Sequence, residues 1–142
     1  MPDKFVADAN VVISSLVMKG VPSSVFSSNS ISKKFEFIAP EFLLEEVKKH
    51  KSRVLKITKL SEHEFEDAYE FLLNEITFIP AEEFSKFLTE AKQLAPHEKD
   101  VPYAALSLAF GCPIFSGDKG LLKSKLKTMS PRELLNLLSS LE

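Results

Sequence analysis

FVADANVV, Phe5 to Val12, is a short apolar run that passes into the apolar start of a helix, with one carboxylate, Asp8, at the junction. Lys4 to Ala7 reads as a buried strand, and Asn10 to Val17 as a helix ending near Gly20. The rest of the chain continues that alternation. Pro22 to Asn29 is a second short helix, and Lys34 to Ile38 a strand stopped before Pro40. A helix with room for a break covers Glu41 to Leu60. Ser61 and Glu64 then form a capping box ahead of Phe65, Ala68, Tyr69, Leu72, Leu73 and Ile76, which recur at helical spacing. Thr77 to Pro80 is a short strand. Phe84, Phe87, Leu88, Ala91 and Leu94 line one face of the next helix, which Pro96 ends. Asp100 to Phe110 is helical and apolar on most sides, hence buried, and Cys112 to Asp118 is a central strand opening into a Gly-containing loop. Ser130 caps the last helix, with Pro131 at its first position and Glu133 completing the box, before Leu134, Leu135, Leu137, Leu138 and Leu141. Strands separated by helices predict an α/β fold of three layers, α/β/α, around a central parallel sheet.

The totals bound the functional classes. A chain of 142 residues, 44% hydrophobic, is the size of one domain, here residues 1–142, with a core large enough to fold alone. A net charge of -2 does not bind polyanions through bulk charge, so a nucleic-acid partner must meet a local patch. The single Cys112 excludes an intramolecular disulfide framework and a cysteine-rich zinc site, and its apolar neighbours predict a buried thiol. The N-terminal residues lack the basic region and apolar run of a signal peptide. No apolar run approaches the roughly 18 residues of a membrane span, and the expected location is cytoplasmic.

Ligands of open parallel sheets bind beyond the carboxyl ends of the strands. Asp8 follows the first strand and Asp118 the Cys112–Gly117 strand, so both arrive at one edge. The chain has five Asp against fifteen Glu, yet Asp8, Asp100 and Asp118 all stand in largely apolar surroundings. A fourth acid follows from helical geometry. At about 100° per residue, Glu46 falls inside the apolar arc of Phe42, Leu43 and Val47, while Glu45 points away. Carboxylates converging at a half-buried place repel one another unless something positive is bound among them. Without a Cys cluster or paired His at ligand spacing, oxygen ligands of this kind point to Mg²⁺ or Mn²⁺.

Three stretches in this order, FVADANVVIS, PEFLLEEVKKH and HEKDVPYAALSLAFGCPIFSGDKGLL, resemble the PIN-domain ribonucleases across nearly the whole chain. The resemblance implies that Asp8, Glu46, Asp100 and Asp118 correspond to the acidic quartet that holds one or two divalent ions. It places Asn10 and Ser116 where the family has small polar residues that orient the acids or a bound water. It implies metal-dependent hydrolysis of RNA phosphodiesters to a 5′-phosphate and a 3′-hydroxyl, with no side chain acting as nucleophile. Small single-domain members are similar to VapC-type toxins silenced by an antitoxin, and others act in RNA processing. Substrate grip is expected from the six cations of residues 48–59, Lys48, Lys49, Lys51, Arg53, Lys56 and Lys59, and from Lys119, Lys123, Lys125 and Lys127. The stripe Leu134, Leu138, Leu141 and the 12 Phe allow a homodimer.

Plainer readings stand beside these. Taken alone, Asp100 reads as a helix cap, Asp118 as turn chemistry, Glu46 as an edge-of-helix acid, and the lysine-rich helix as a solvated face. His50, His63 and His97 share no ligand spacing and are assigned to the surface, and no Ser has a plausible His partner for nucleophilic catalysis. A haloacid-dehalogenase-like phosphatase expects a second Asp where Asn10 stands and another acid soon after Asp118, where none occurs before Glu133. A receiver domain expects an acidic pair ahead of the phosphoaccepting Asp, and only Asp3 is present. A PIN-like module that binds RNA or protein without catalysis remains the non-enzymatic alternative, separated by metal-dependent turnover.

Overall fold

Apolar runs such as Phe5-Val6-Ala7 and Phe37-Ile38-Ala39 are buried on both faces of a sheet, the environment that selects parallel strands. The computed structural model describes residues 3–140. Its strands are β1 (Lys4–Ala7), β2 (Glu36–Pro40), β3 (Ile76–Ile79), β4 (Ile114–Phe115) and β5 (Thr128–Met129). They form one parallel sheet in the order β3-β2-β1-β4-β5. The helices are α1 (Ala9–Val17), α2 (Val21–Ser32), α3 (Phe42–Thr58), α4 (Glu62–Asn74), α5 (Leu88–Leu94), α6 (Val101–Phe110), α7 (Lys119–Lys123) and α8 (Pro131–Ser140). One layer joins α1 to α2, α3 and α4 and α2 to α8, while α5 packs on α6, which lies against β1 and β2, giving the three-layer α/β/α architecture.

Both predicted capping boxes form. Ser61 and Glu64 exchange side-chain and backbone bonds, as do Ser130 and Glu133. Several boundaries differ from expectation for local reasons. β2 includes Pro40, whose missing N–H falls at the strand end. α3 runs unbroken to Lys59, which closes it in the left-handed conformation at φ 60°. Ile76 keeps helical spacing from Leu72, but α4 ends at Asn74 and Ile76 opens β3. Phe84 and Phe87 lie in or beside two short 3₁₀ turns ahead of α5. The elements α7 and β5, of five and two residues, are too short to leave a periodic signal.

An aromatic cluster joins α2 to the sheet, with Phe26 centred 5.1 Å from Phe37 and 5.6 Å from Phe115. Leu134 and Leu138 of α8 are buried in the same core. Those leucines are therefore not a surplus stripe for a homodimer, and Leu141 lies outside the described residues. Cys112 is a buried thiol, and burial pushes it up to about 11.

The chain spreads from β1 to β2 and β3 on one side, then crosses back to place β4 and β5 on the other. At this reversal the carboxyl ends of β1 and β4 adjoin, and connections leaving in opposite directions open a crevice between them.

Candidate active site

Asp8 stands at the exit of β1, Asp118 just beyond β4, Glu46 on the second turn of α3, and Asp100 immediately before α6. All four line one pocket of about 200 Å³ above the crevice, with Asn10, His50, Arg53 and Lys99 among its other walls. Two of the acids are buried, Asp8 at 5% exposure and Asp100 at 3%. Asp8 occupies the N-cap position of α1, but its side chain makes no cap bond; its Oδ2 instead accepts from Ser116 Oγ at 2.7 Å. Ser116 Oγ also accepts the backbone N–H of Asp118 at 3.0 Å, so one fully buried hydroxyl ties two of the acids together. Asn10 Oδ1 accepts from Gly117 N–H at 2.9 Å and fastens α1 to the loop that carries Asp118.

Asp118 does cap a helix: its Oδ2 accepts the Leu121 N–H at 3.0 Å and starts α7. Asp100 does not, since α6 receives no side-chain cap from it. Instead, Asp100 Oδ2 is a buried oxygen without a hydrogen-bond partner among the described residues. A buried carboxylate oxygen left in this state is costly unless a cation or water completes it.

The electrostatics agree. Burial raises Asp8 to about 7 against the Ser116 hydrogen bond, and Asp100, Glu46 and Asp118 add like-charge repulsion. Burial also raises Glu46, opposed by its bond to Tyr103 and by Lys99 and His50. Asp100 is raised by burial and then by Asp118, with Lys99 and His97 pulling the other way. Three carboxylates that disfavour their own ionisation, with Asp118 beside them in the same pocket, define a place where a hard divalent cation is welcome.

Among the described residues no three His, Cys, Asp or Glu side chains are already gathered as a chelating set. Mg²⁺ is ordinarily held by one or two carboxylates and keeps several waters, so an open group of acids suits it. The unpartnered oxygen of Asp100 and the mutual repulsion of its neighbours fit Mg²⁺ or Mn²⁺, and Asp8, Glu46, Asp100 and Asp118 are the residues that could hold it.

Sequence reasoning missed three neighbours of these acids. Tyr103, 1% exposed, donates its hydroxyl to Glu46 Oε1 at 2.5 Å. It stands three residues after Asp100 on α6, a spacing that signals a shared helix face but not a contact with α3. His50, assigned to the surface, is half-buried and lines the pocket. Its Nδ1 bonds the Glu46 carbonyl at 2.8 Å, and the i, i+4 spacing that placed Glu46 inward carried the same information for His50. Lys99, beside Asp100, also lines the pocket.

The expected RNA-binding cations separate. Arg53 lines the pocket, and Lys49 lies on a similar side of α3. Lys51 lies roughly 140° round the helix from Glu46. It donates to Glu66 at 2.9 Å and sits over the Phe65 ring, facing α4. Lys48 is turned further still, roughly 160° from Glu46. Lys119 is exposed at the first residue of α7, next to Asp118.

This is a parallel α/β fold with a group of acids lining one pocket at its topological reversal. The chain belongs to the PIN domain family, whose pattern it matches over residues 6–139, and the fold is therefore that of nucleases that are typically metal-dependent. No curated protein matches the chain.

Proposed function

We propose that this protein is a divalent-metal-dependent endoribonuclease whose metal-holding groups are Asp8, Glu46, Asp100 and Asp118. The observation that carries the reading is the partnerless, buried Asp100 oxygen within a pocket of mutually repelling carboxylates. A bound Mg²⁺ or Mn²⁺ supplies Lewis-acid activation of water and neutralises charge on the phosphate. The chain's own residues prepare the place. Ser116 holds Asp8 and the Asp118 backbone in fixed relation, and Tyr103 holds the Glu46 carboxylate. Asn10 braces the loop on which Asp118 rides. Arg53 and Lys99 bring positive charge to the walls beside His50, where it attracts the RNA backbone and offsets the acids.

The test is cleavage of end-labelled single-stranded RNA with Mn²⁺, with Mg²⁺ and with chelator, running Asp8→Asn and Asp118→Asn beside wild type. Wild type is expected to cut only with metal, and each variant to lose at least about 100-fold in rate while keeping its fold, because Asn preserves shape but removes the charge that holds the ion. Equal cleavage by both variants would refute the site. Failure of wild type on every RNA and metal would favour the non-catalytic binding module. For a toxin of a toxin–antitoxin pair, induced expression arrests growth and Asp8→Asn relieves the arrest; an RNA-processing nuclease shows neither effect.

A further inference from the structure

Beyond Asp118 the surface continues as two adjoining cavities of about 390 and 300 Å³, which share Leu94 and Lys125. Their polar walls carry Gln93, Lys123, Lys125 and Lys127, with no Asp or Glu among the described lining residues. The near end comes close to the acid pocket where Gly120, which lines the first cavity, neighbours Asp118, which lines the acid pocket. A methyl group added at Gly120, which lines the first cavity, would stand 3.0 Å from Asp118 Oδ2 and 3.6 Å from Pro96.

The lysines are presented by a fixed backbone. Ser124 Oγ donates to the Leu121 carbonyl and accepts the Leu126 N–H, while Thr128 Oγ1 contacts the carbonyls of Leu121 and Leu126 at 3.2 Å. Leu126 is buried between exposed Lys125 and Lys127, so the two charges stand outward from one anchored residue. By contrast, Lys51 on α3 is already engaged by Glu66.

We infer that single-stranded RNA leaves the acid pocket past Gly120 and lays its backbone along Lys123, Lys125 and Lys127. The inference rests on the ribonuclease reading. Two features favour an unpaired strand. The scissile phosphate must descend to buried Asp8 and Asp100, and the groove backs its cations with apolar surface from half-buried Leu94 and Leu108 against which unstacked bases can lie. A duplex keeps its base faces stacked inward and offers phosphates, 2′-hydroxyls and groove edges in their place.

The experiment measures fluorescence anisotropy of a labelled single-stranded RNA with the full chain in chelator, so that binding is read without metal or turnover. Lys123→Ala/Lys125→Ala/Lys127→Ala is expected to bind about tenfold more weakly, and the slope of log affinity against log salt to shrink by about 2, the value for three lost phosphate contacts on a single strand. The matching triple arginine variant is expected to restore binding. A control of equal charge loss, Lys19→Ala/Lys34→Ala/Lys86→Ala, is expected to change neither quantity. In the wild type, lysine acetylation read by mass spectrometry should show RNA protecting Lys123, Lys125 and Lys127. Unchanged affinity and slope in the first variant, or no protection, overturns the path while leaving metal-dependent cleavage standing. Equal competition by duplex RNA or by an acidic polypeptide overturns the single-strand assignment. A wild type that neither binds nor cuts RNA overturns the inference together with the reading beneath it.

Discussion

Asp8 is held where an isolated carboxylate is unfavourable, and its pH dependence exposes that cost. The folded protein keeps the Asp8 proton up to about pH 7, whereas the unfolded chain releases it near pH 3.9. Between those values the native state binds more protons than the unfolded one, so stability is greatest below the window and falls as pH rises through it. The full loss amounts to about 4 kcal/mol. Urea midpoints of metal-free protein from pH 4 to 8 should follow this decline, and Asp8→Asn should flatten it; a variant with the wild-type slope would contradict the assignment. Added Mg²⁺ or Mn²⁺ should recover stability at pH 8. Tyr103 supplies a second residue-scale expectation. Removing its hydroxyl deletes a bond to a carboxylate worth about 1.5–3 kcal/mol, so Tyr103→Phe should lower kcat at least about tenfold with KM for RNA little changed. An unaltered kcat would show that Glu46 needs no such support. The carboxylates were legible in the sequence because charge in apolar surroundings is conspicuous. Tyr103 was not, because a tyrosine in a buried helix looks like core until its hydroxyl finds a partner 57 positions away.

At the scale of elements, the α2–β2 connection is built by one buried side chain. Asn29 accepts the Phe35 N–H and donates to the Phe35 carbonyl, both at 2.8 Å, while Lys33 closes α2 in the left-handed conformation at φ 53°. Asn29→Ala would leave both Phe35 groups without these partners and should destabilise the protein by about 2–4 kcal/mol in equilibrium unfolding. A loss below about 0.5 kcal/mol would mean that water satisfies the site. Long helices were readable from caps and apolar spacing because many residues repeat the same signal. The five-residue α7 and the two-residue β5 were not, and β4, read as a strand over Cys112 to Asp118, is far shorter than that reading. β4 has two residues, preceded by Pro113 and followed by Ser116 and Gly117, and is stabilised by its neighbours on either side: Val6 N–H bonds the Pro113 carbonyl and Ile114 N–H the Lys127 carbonyl.

Across the whole molecule, β4 couples core packing to the site, since Phe115 belongs to the aromatic cluster and Ser116 to the acid network. Phe115→Ala should cost about 3–5 kcal/mol of stability. It should also loosen Ser116, so that RNA cleavage falls further than the folded fraction alone predicts. Activity that simply tracks the folded fraction would uncouple the two. The parallel α/β class, the long helices and the acidic candidates were determined by the sequence alone, because periodicity, capping and isolated charge are local properties of the chain. The tertiary structure alone decided that Asp8 and Ser116, 108 positions apart, share a hydrogen bond. It also decided that Lys51 turns to α4 and that Leu134 and Leu138 fill the core. These outcomes depend on which faces meet when the sheet reverses direction between β1 and β4, and that register is set by packing the whole core at once.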